Sequence, residues 1–125
     1  MGGAFSVIAG KTVPATTYVN AQRLRKALRS QFRALFDSID CLLIPTTPTT
    51  APRIGQHQVE LAGEKLDTRV ANTSLVRGFN VLGFPALSMP WGQDQGGLPI
   101  GIQMIARPFE ENLLFLLGEA LEERR

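Results

Sequence analysis

Two short apolar runs limit this chain more than any other feature. Cys41–Ile44 stops at Pro45, and Ala86–Met89 is held between Pro85 and Pro90. Proline removes a backbone donor and breaks a helix, so each run is confined to one short strand. Cys41, Leu42, Leu43 and Ile44 show no polar alternation, which predicts cover on both faces, as in parallel or mixed sheets. "PIGIQMIA" reads as a third strand, and the "QDQGG" turn before it makes the last two strands an antiparallel pair. Three short strands leave exposed edges, yet these look built for a covered sheet. The expectation is an α/β fold that is part of a larger sheet, an incomplete domain.

The segments between the strands read as helices and turns. Thr16 or Thr17 is a plausible N-cap for a helix running to about Phe36, with Tyr18, Ala21, Leu24, Leu28, Phe32, Leu35 and Phe36 as its apolar stripe. Arg25 falls inside that stripe, so its charge needs a carboxylate or carbonyl partner. "PTTPTTAP", from Pro45 to Pro52, has three prolines among eight residues and forms an extended loop offering threonine hydroxyls. "VELAGEKL" alternates about Gly63 as a small hairpin. Asp67 or Thr68 caps a second helix that Gly83 stops after Leu82. The final helix starts with acidic residues and is followed by Arg124 and Arg125, matching the helix dipole.

Composition excludes several function classes. The chain has 125 residues and a net charge of +2, too small to call for a nucleic-acid or membrane partner. One cysteine, Cys41, permits no internal disulfide and suits a reducing, cytoplasmic setting. No apolar run approaches membrane-spanning length. "MGGAFSVIAG" lacks the lead-in and apolar region of a secretory signal. It fits the loose myristoylation pattern at Gly2 and Ser6, but an unmodified start is the simpler reading. No glycine-rich phosphate loop and no metal-ligand spacing occur, so no cofactor and no metal are expected. His57 reads as a surface residue, Cys41 as a core thiol, and Ser88 lacks a nucleophile elbow.

Five segments, in order, carry a likeness. Ala21 and Arg25 form an Ala-x-x-x-Arg helix, followed by "DCLLIPTTP", "NVLGFPALSMP", "LPIGIQ" and "FEENLLFLLGEALE". Together, over about residues 10–123, they resemble the C-terminal part of the amidase signature family. These are the Ser-cisSer-Lys amide hydrolases, which include the A subunits of glutamyl-tRNA amidotransferases. The resemblance implies that residues 1–125 are a C-terminal segment of the family's mixed sheet with flanking helices. It also implies a hydrolase fragment acting on carboxamide C–N bonds. The family's nucleophile lies in a Gly- and Ser-rich loop that is not found here, and Lys11, Lys26 and Lys65 do not match its catalytic-lysine context. No catalytic residue is therefore assigned, and the chain alone is expected to be inactive.

What the resemblance leaves to these residues is scaffold and part of a pocket. Thr46, Thr47 and Thr49 of the Pro-Thr loop, with Val70 and Thr73 of the second helix, are the substrate-binding candidates. Arg25, Asn80 and Gln103 are structural candidates, with Asn80 satisfying backbone groups at the helix end. A small amide is the expected ligand, bound only with the missing catalytic part, and self-association is open. The competing readings are a non-catalytic interaction module and a fragment of an amidotransferase-like enzyme.

Overall fold

The computed structural model describes residues 10–124; the pattern at Gly2 and Ser6, and Arg125, lie outside them. The elements are α1 (Ala15–Leu35), β1 (Leu42–Pro45), β2 (Gln58–Leu61), β3 (Glu64–Asp67), α2 (Thr68–Leu82), β4 (Ala86–Gln93), β5 (Pro99–Ile105) and α3 (Glu111–Glu122). One sheet has the order β1-β5-β4, and β2-β3 forms a separate hairpin.

All described pairings are antiparallel, including β1 with β5, where Leu42 faces Ile105 and Ile44 faces Gln103. The prolines sit where a sheet tolerates them. Pro45 and Pro90 lie on edge strands, and Pro99 is the first residue of β5.

Successive residues of β5 point to opposite faces of the sheet, and each face has its own core. Ile105 packs with Phe36, Phe79, Leu82 and Phe84 on the side of α1 and α2. Phe36 stacks on Phe84 at 5.6 Å, and Phe32 meets Phe79 edge-on at 5.9 Å. Met104 packs with Ala106, Leu114, Leu87 and Leu117 on the side of α3. Gly118 leaves room for that second contact. A Cβ there would lie 2.8 Å from Leu87 Cδ2, so a larger residue would require the end of the Leu87 side chain to shift.

Among the described residues the cover on β1 is one-sided, in keeping with the incomplete domain expected. Leu42 and Ile44 are half-buried, whereas Leu43 is 54% exposed. The reason is geometric: α3 packs on β4, and among the described residues Leu43, on the far edge strand, joins neither core cluster.

Helix α1 departs from expectation. Its period is as read, but none of its 21 residues is buried. Tyr18 and Leu24 are more than half exposed, and only Phe32, with Phe36 just past the helix, reaches the core. Its start is Pro14, not Thr16 or Thr17, and no side chain caps it. The Pro14 carbonyl accepts from the Thr17 and Tyr18 N–H groups.

The other local readings hold. Asp67 Oδ1 accepts from the N–H groups of Arg69 and Val70 at the start of α2. Gly83, at φ 73°, ends that helix. Ala62 and Gly63, at φ 50° and 84°, make the two-residue turn between β2 and β3, which matches the strand twist.

Candidate functional site

The Pro-Thr loop leaves β1 across the polar end of the sheet face that carries Ile105. Thr46 continues the strand pairing, its N–H donating to Gly101 O at 2.8 Å. Its hydroxyl shares a 2.6 Å hydrogen bond with Ser88 Oγ of β4, spanning the central strand. Gly101 leaves room for that crossing. A Cβ there would lie 3.1 Å from Thr46 Oγ1 and 3.3 Å from Thr46 Cβ.

One residue pair further along β5, Gln103 is buried beneath the loop. Its Nε2 donates to Pro45 O and to Leu75 O, both at 3.2 Å, joining the loop's root to α2. A buried amide with two carbonyl partners in different elements fixes their spacing.

The loop's remaining hydroxyls are also engaged. Thr47 Oγ1 donates to Thr49 O at 2.8 Å, and Thr49 Oγ1 to Asn72 Oδ1 of α2 at 3.5 Å. Thr50 bonds the carboxylate of Asp94 in the β4–β5 turn. The N–H of Leu98, then the Thr50 hydroxyl, hold that carboxyl below its ordinary range. Three tethers, to β4, α2 and the turn, therefore hold the loop.

The two candidates on α2 make no hydrogen bond to the loop. Thr73 is exposed and donates to Arg69 O at 2.9 Å within its own helix, while accepting from Arg77. Val70 lines a groove of about 510 Å³ between α1 and α2. Asn80 is exposed. The end of α2 is closed by the N–H groups of Gly83 and Phe84, both donating to Phe79 O, without the Asn80 amide.

Arg25 is half-exposed. Its Nε donates to Val81 O, a carbonyl in the last turn of α2, and its Nη1 donates to Gln22 Oε1 at 3.4 Å. The carbonyl partner is present; full burial is not.

Sequence reasoning missed Asn72 and assigned no role to Ser88 or Gly101. Asn72 precedes Leu75 by three residues, so the two share a helix face toward the sheet. That spacing was the available signal.

The cluster offers hydroxyl and amide hydrogen bonds, with the Asp94 carboxylate at the turn. Burial raises the thiol of Cys41, outweighing a backbone hydrogen bond at Ile105, so it stays protonated near neutrality. His57 lies apart, in a cavity of about 290 Å³ with Asp67 and Thr68. Among the described residues no lysine bonds a serine, no His/Cys/Asp/Glu group could hold a metal ion, and no helix is long and apolar enough to cross a membrane.

Comparison with known proteins agrees with this architecture. The chain is 36% identical over 117 residues to AtzE, the 1-carboxybiuret hydrolase component of Pseudomonas sp. (strain ADP), covering 93% of this chain and 26% of that protein. It is 42% identical over 106 residues to the GatA-type chain of the glutamyl-tRNA(Gln) amidotransferase of Prochlorococcus marinus (strain MIT 9303), covering 85% and 21%. Among solved structures, an amidase crystal structure superposes with a TM-score of 0.87 at 32% identity, over 94% of this chain and 27% of that one. The chain thus spans about a quarter of the length of the relatives it matches. The Amidase family pattern matches residues 5–115. On that match, and on a fold shared with a solved amidase, the chain belongs to the amidase signature family.

Proposed function

We propose that this chain, over residues 1–125, is the C-terminal part of an amidase-family hydrolase that cleaves carboxamide C–N bonds. It supplies scaffold and one wall of the substrate pocket, and it acts only with the family's Ser-cisSer-Lys part. One observation carries the reading: a fold aligned to a solved amidase over 94% of its length leaves a 21-residue helix without a buried residue. Faces of this kind are made to be covered. The single cysteine suits the cytoplasm as the place of work.

The Pro-Thr loop is the pocket wall in this reading. Thr46, Thr47 and Thr49 stand at the end of a strand, where α/β folds place ligand-contacting loops. Their tethers hold the backbone in place, so a bound amide meets a fixed set of oxygens. Val70 and Thr73 would contribute from α2.

The test is an amide panel assayed on the chain alone and on the chain paired with the upstream part of a full-length relative. The chain alone should match the buffer background, and the pair should turn over. Thr46→Val in the pair should shift substrate preference, by about fivefold for a hydroxyl bond worth roughly 1 kcal/mol. Ser88→Ala breaks the same internal bond but keeps the Thr46 hydroxyl, so it should leave preference unchanged. Turnover by the pure chain, abolished by mutating one of its own residues, would overturn the reading. Uniform kinetics across the panel for Thr46→Val and Thr73→Val would assign the threonines to the loop alone.

A further inference from the structure

Helix α2 carries two arginines and no acidic residue, and the two stand in different surroundings. Arg69 pairs with Asp67, Nε to Oδ1 at 3.5 Å. Among the described residues Arg77 has no carboxylate partner, since the other ion pairs belong to Arg107. Its contact is the Thr73 hydroxyl one turn back, to which Nη2 donates. Val70 and Val81, both half-exposed, stand on the same side of the helix and line one groove with Arg77.

The hydroxyls beside Arg77 already use their protons. Thr73 Oγ1 donates to Arg69 O at 2.9 Å, and Ser74 Oγ donates to Ala71 O at 2.8 Å. A hydroxyl has one proton, so neither donates to a ligand while these bonds stand. A guanidinium has five N–H donors and no acceptor, and Arg77 places one on Thr73. What this stretch of α2 offers outward is therefore a cation with spare donors in one plane, between two valines. Its match is an anion, and a carboxylate takes two such donors side by side.

Cover by the rest of the family domain sharpens this requirement. Apolar cover over Val70 and Val81 would take Arg77 out of water, and a cation without a counter-charge is then strongly disfavoured. We propose that the substrate supplies the counter-charge: Arg77 is a specificity determinant that binds a carboxylate of the amide, away from the scissile C–N bond. Thr73 positions the guanidinium from within the helix. The inference rests on the amidase reading, with Val70 and Thr73 at the pocket, and adds the substrate class, amides that carry a free carboxylate.

The experiment compares the monoamides of succinic and glutaric acids with the neutral diamides of the same length. They are assayed on the chain paired with the upstream part of a full-length relative. A second enzyme is that relative with its counterpart of Thr68–Leu82 replaced by the segment from this chain. Both should favour the monoamides, and 1 M salt should raise KM for the monoamides alone, because screening reaches the charged substrate only. Arg77→Gln keeps a donor for Thr73 and loses the charge. It should raise KM for the monoamides at least about tenfold, with kcat little changed and the diamides within about twofold. Arg77→Lys should recover part of the loss, as it keeps the charge without the fork. Diamides and monoamides turned over alike, with Arg77→Gln matching the native residue, would overturn this inference and leave the amidase reading standing. An equal loss on every amide would also overturn it, by assigning the counter-charge to an acidic residue of the catalytic part. No turnover of either amide by either enzyme would remove the amidase reading, and this inference with it.

Discussion

Arg25 shows how one side chain can join two helices without being buried. The last carbonyls of a helix have no partner within it, and a cation near them also meets the negative end of the dipole. Val81 O is such a carbonyl, and the guanidinium reaches it from α1, with Nη2 3.6 Å from where a Cβ on Gly83 would sit. The Ala-x-x-x-Arg spacing placed Arg25 on the apolar side. It could not show that the side would stay half open, since that depends on what covers α1. Gln103 is the opposite case, an amide fully enclosed. Gln103→Leu keeps the volume but strands the carbonyl of Pro45 and unties the loop's root from α2, and should cost about 1–3 kcal/mol in denaturant unfolding.

At the scale of elements, local chemistry was legible and distant pairing was not. The hairpin at Ala62-Gly63, the Asp67 cap and the Gly83 stop each rest on residues a few positions apart, which the chain states directly. The pairing of β1 with β5 joins residues about 60 apart, and no local signal says whether the strands run parallel. What covers the second face of β1 is equally silent in any short window, which shows only that the strand is apolar on both sides. The Asp67 cap also has a pH signature. Backbone N–H donation from Arg69, then Val70, holds its carboxyl below the ordinary 3.8. A depressed folded-state pKa adds stability above the unfolded value and loses it as pH falls through the folded one. Asp67→Asn keeps a capping side chain but cannot titrate. Below about pH 4, melting curves of the native chain should fall more steeply than those of the variant.

For the whole molecule, stability should be uneven in a specific order. The central strand β5 holds Gln103, Met104 and Ile105, all buried and paired on both sides. Helix α1 is fixed chiefly through Phe32 and the Arg25 bond at its contact with α2. Local opening costs little where few apolar groups are buried. Hydrogen exchange should therefore find the amides of β5 most protected and those of Ala15–Gln31 the least among the regular elements. Equal protection of α1 and β5 would mean that α1 is covered in solution.

The strand order has a consequence for synthesis. Because β5 lies between β1 and β4, neither of these strands meets its ladder partner among the described residues until the segment Pro99–Ile105 has left the ribosome. At roughly 5–20 residues per second, β1 waits several seconds for β5. During that interval the helix and hairpin contacts of α2 are the native structure available to form. The prolines at positions 45 and 48 then act on the nascent chain as well as on the native fold. They keep the waiting strand short and deny a neighbouring chain the continuous backbone donors it would need to pair with it.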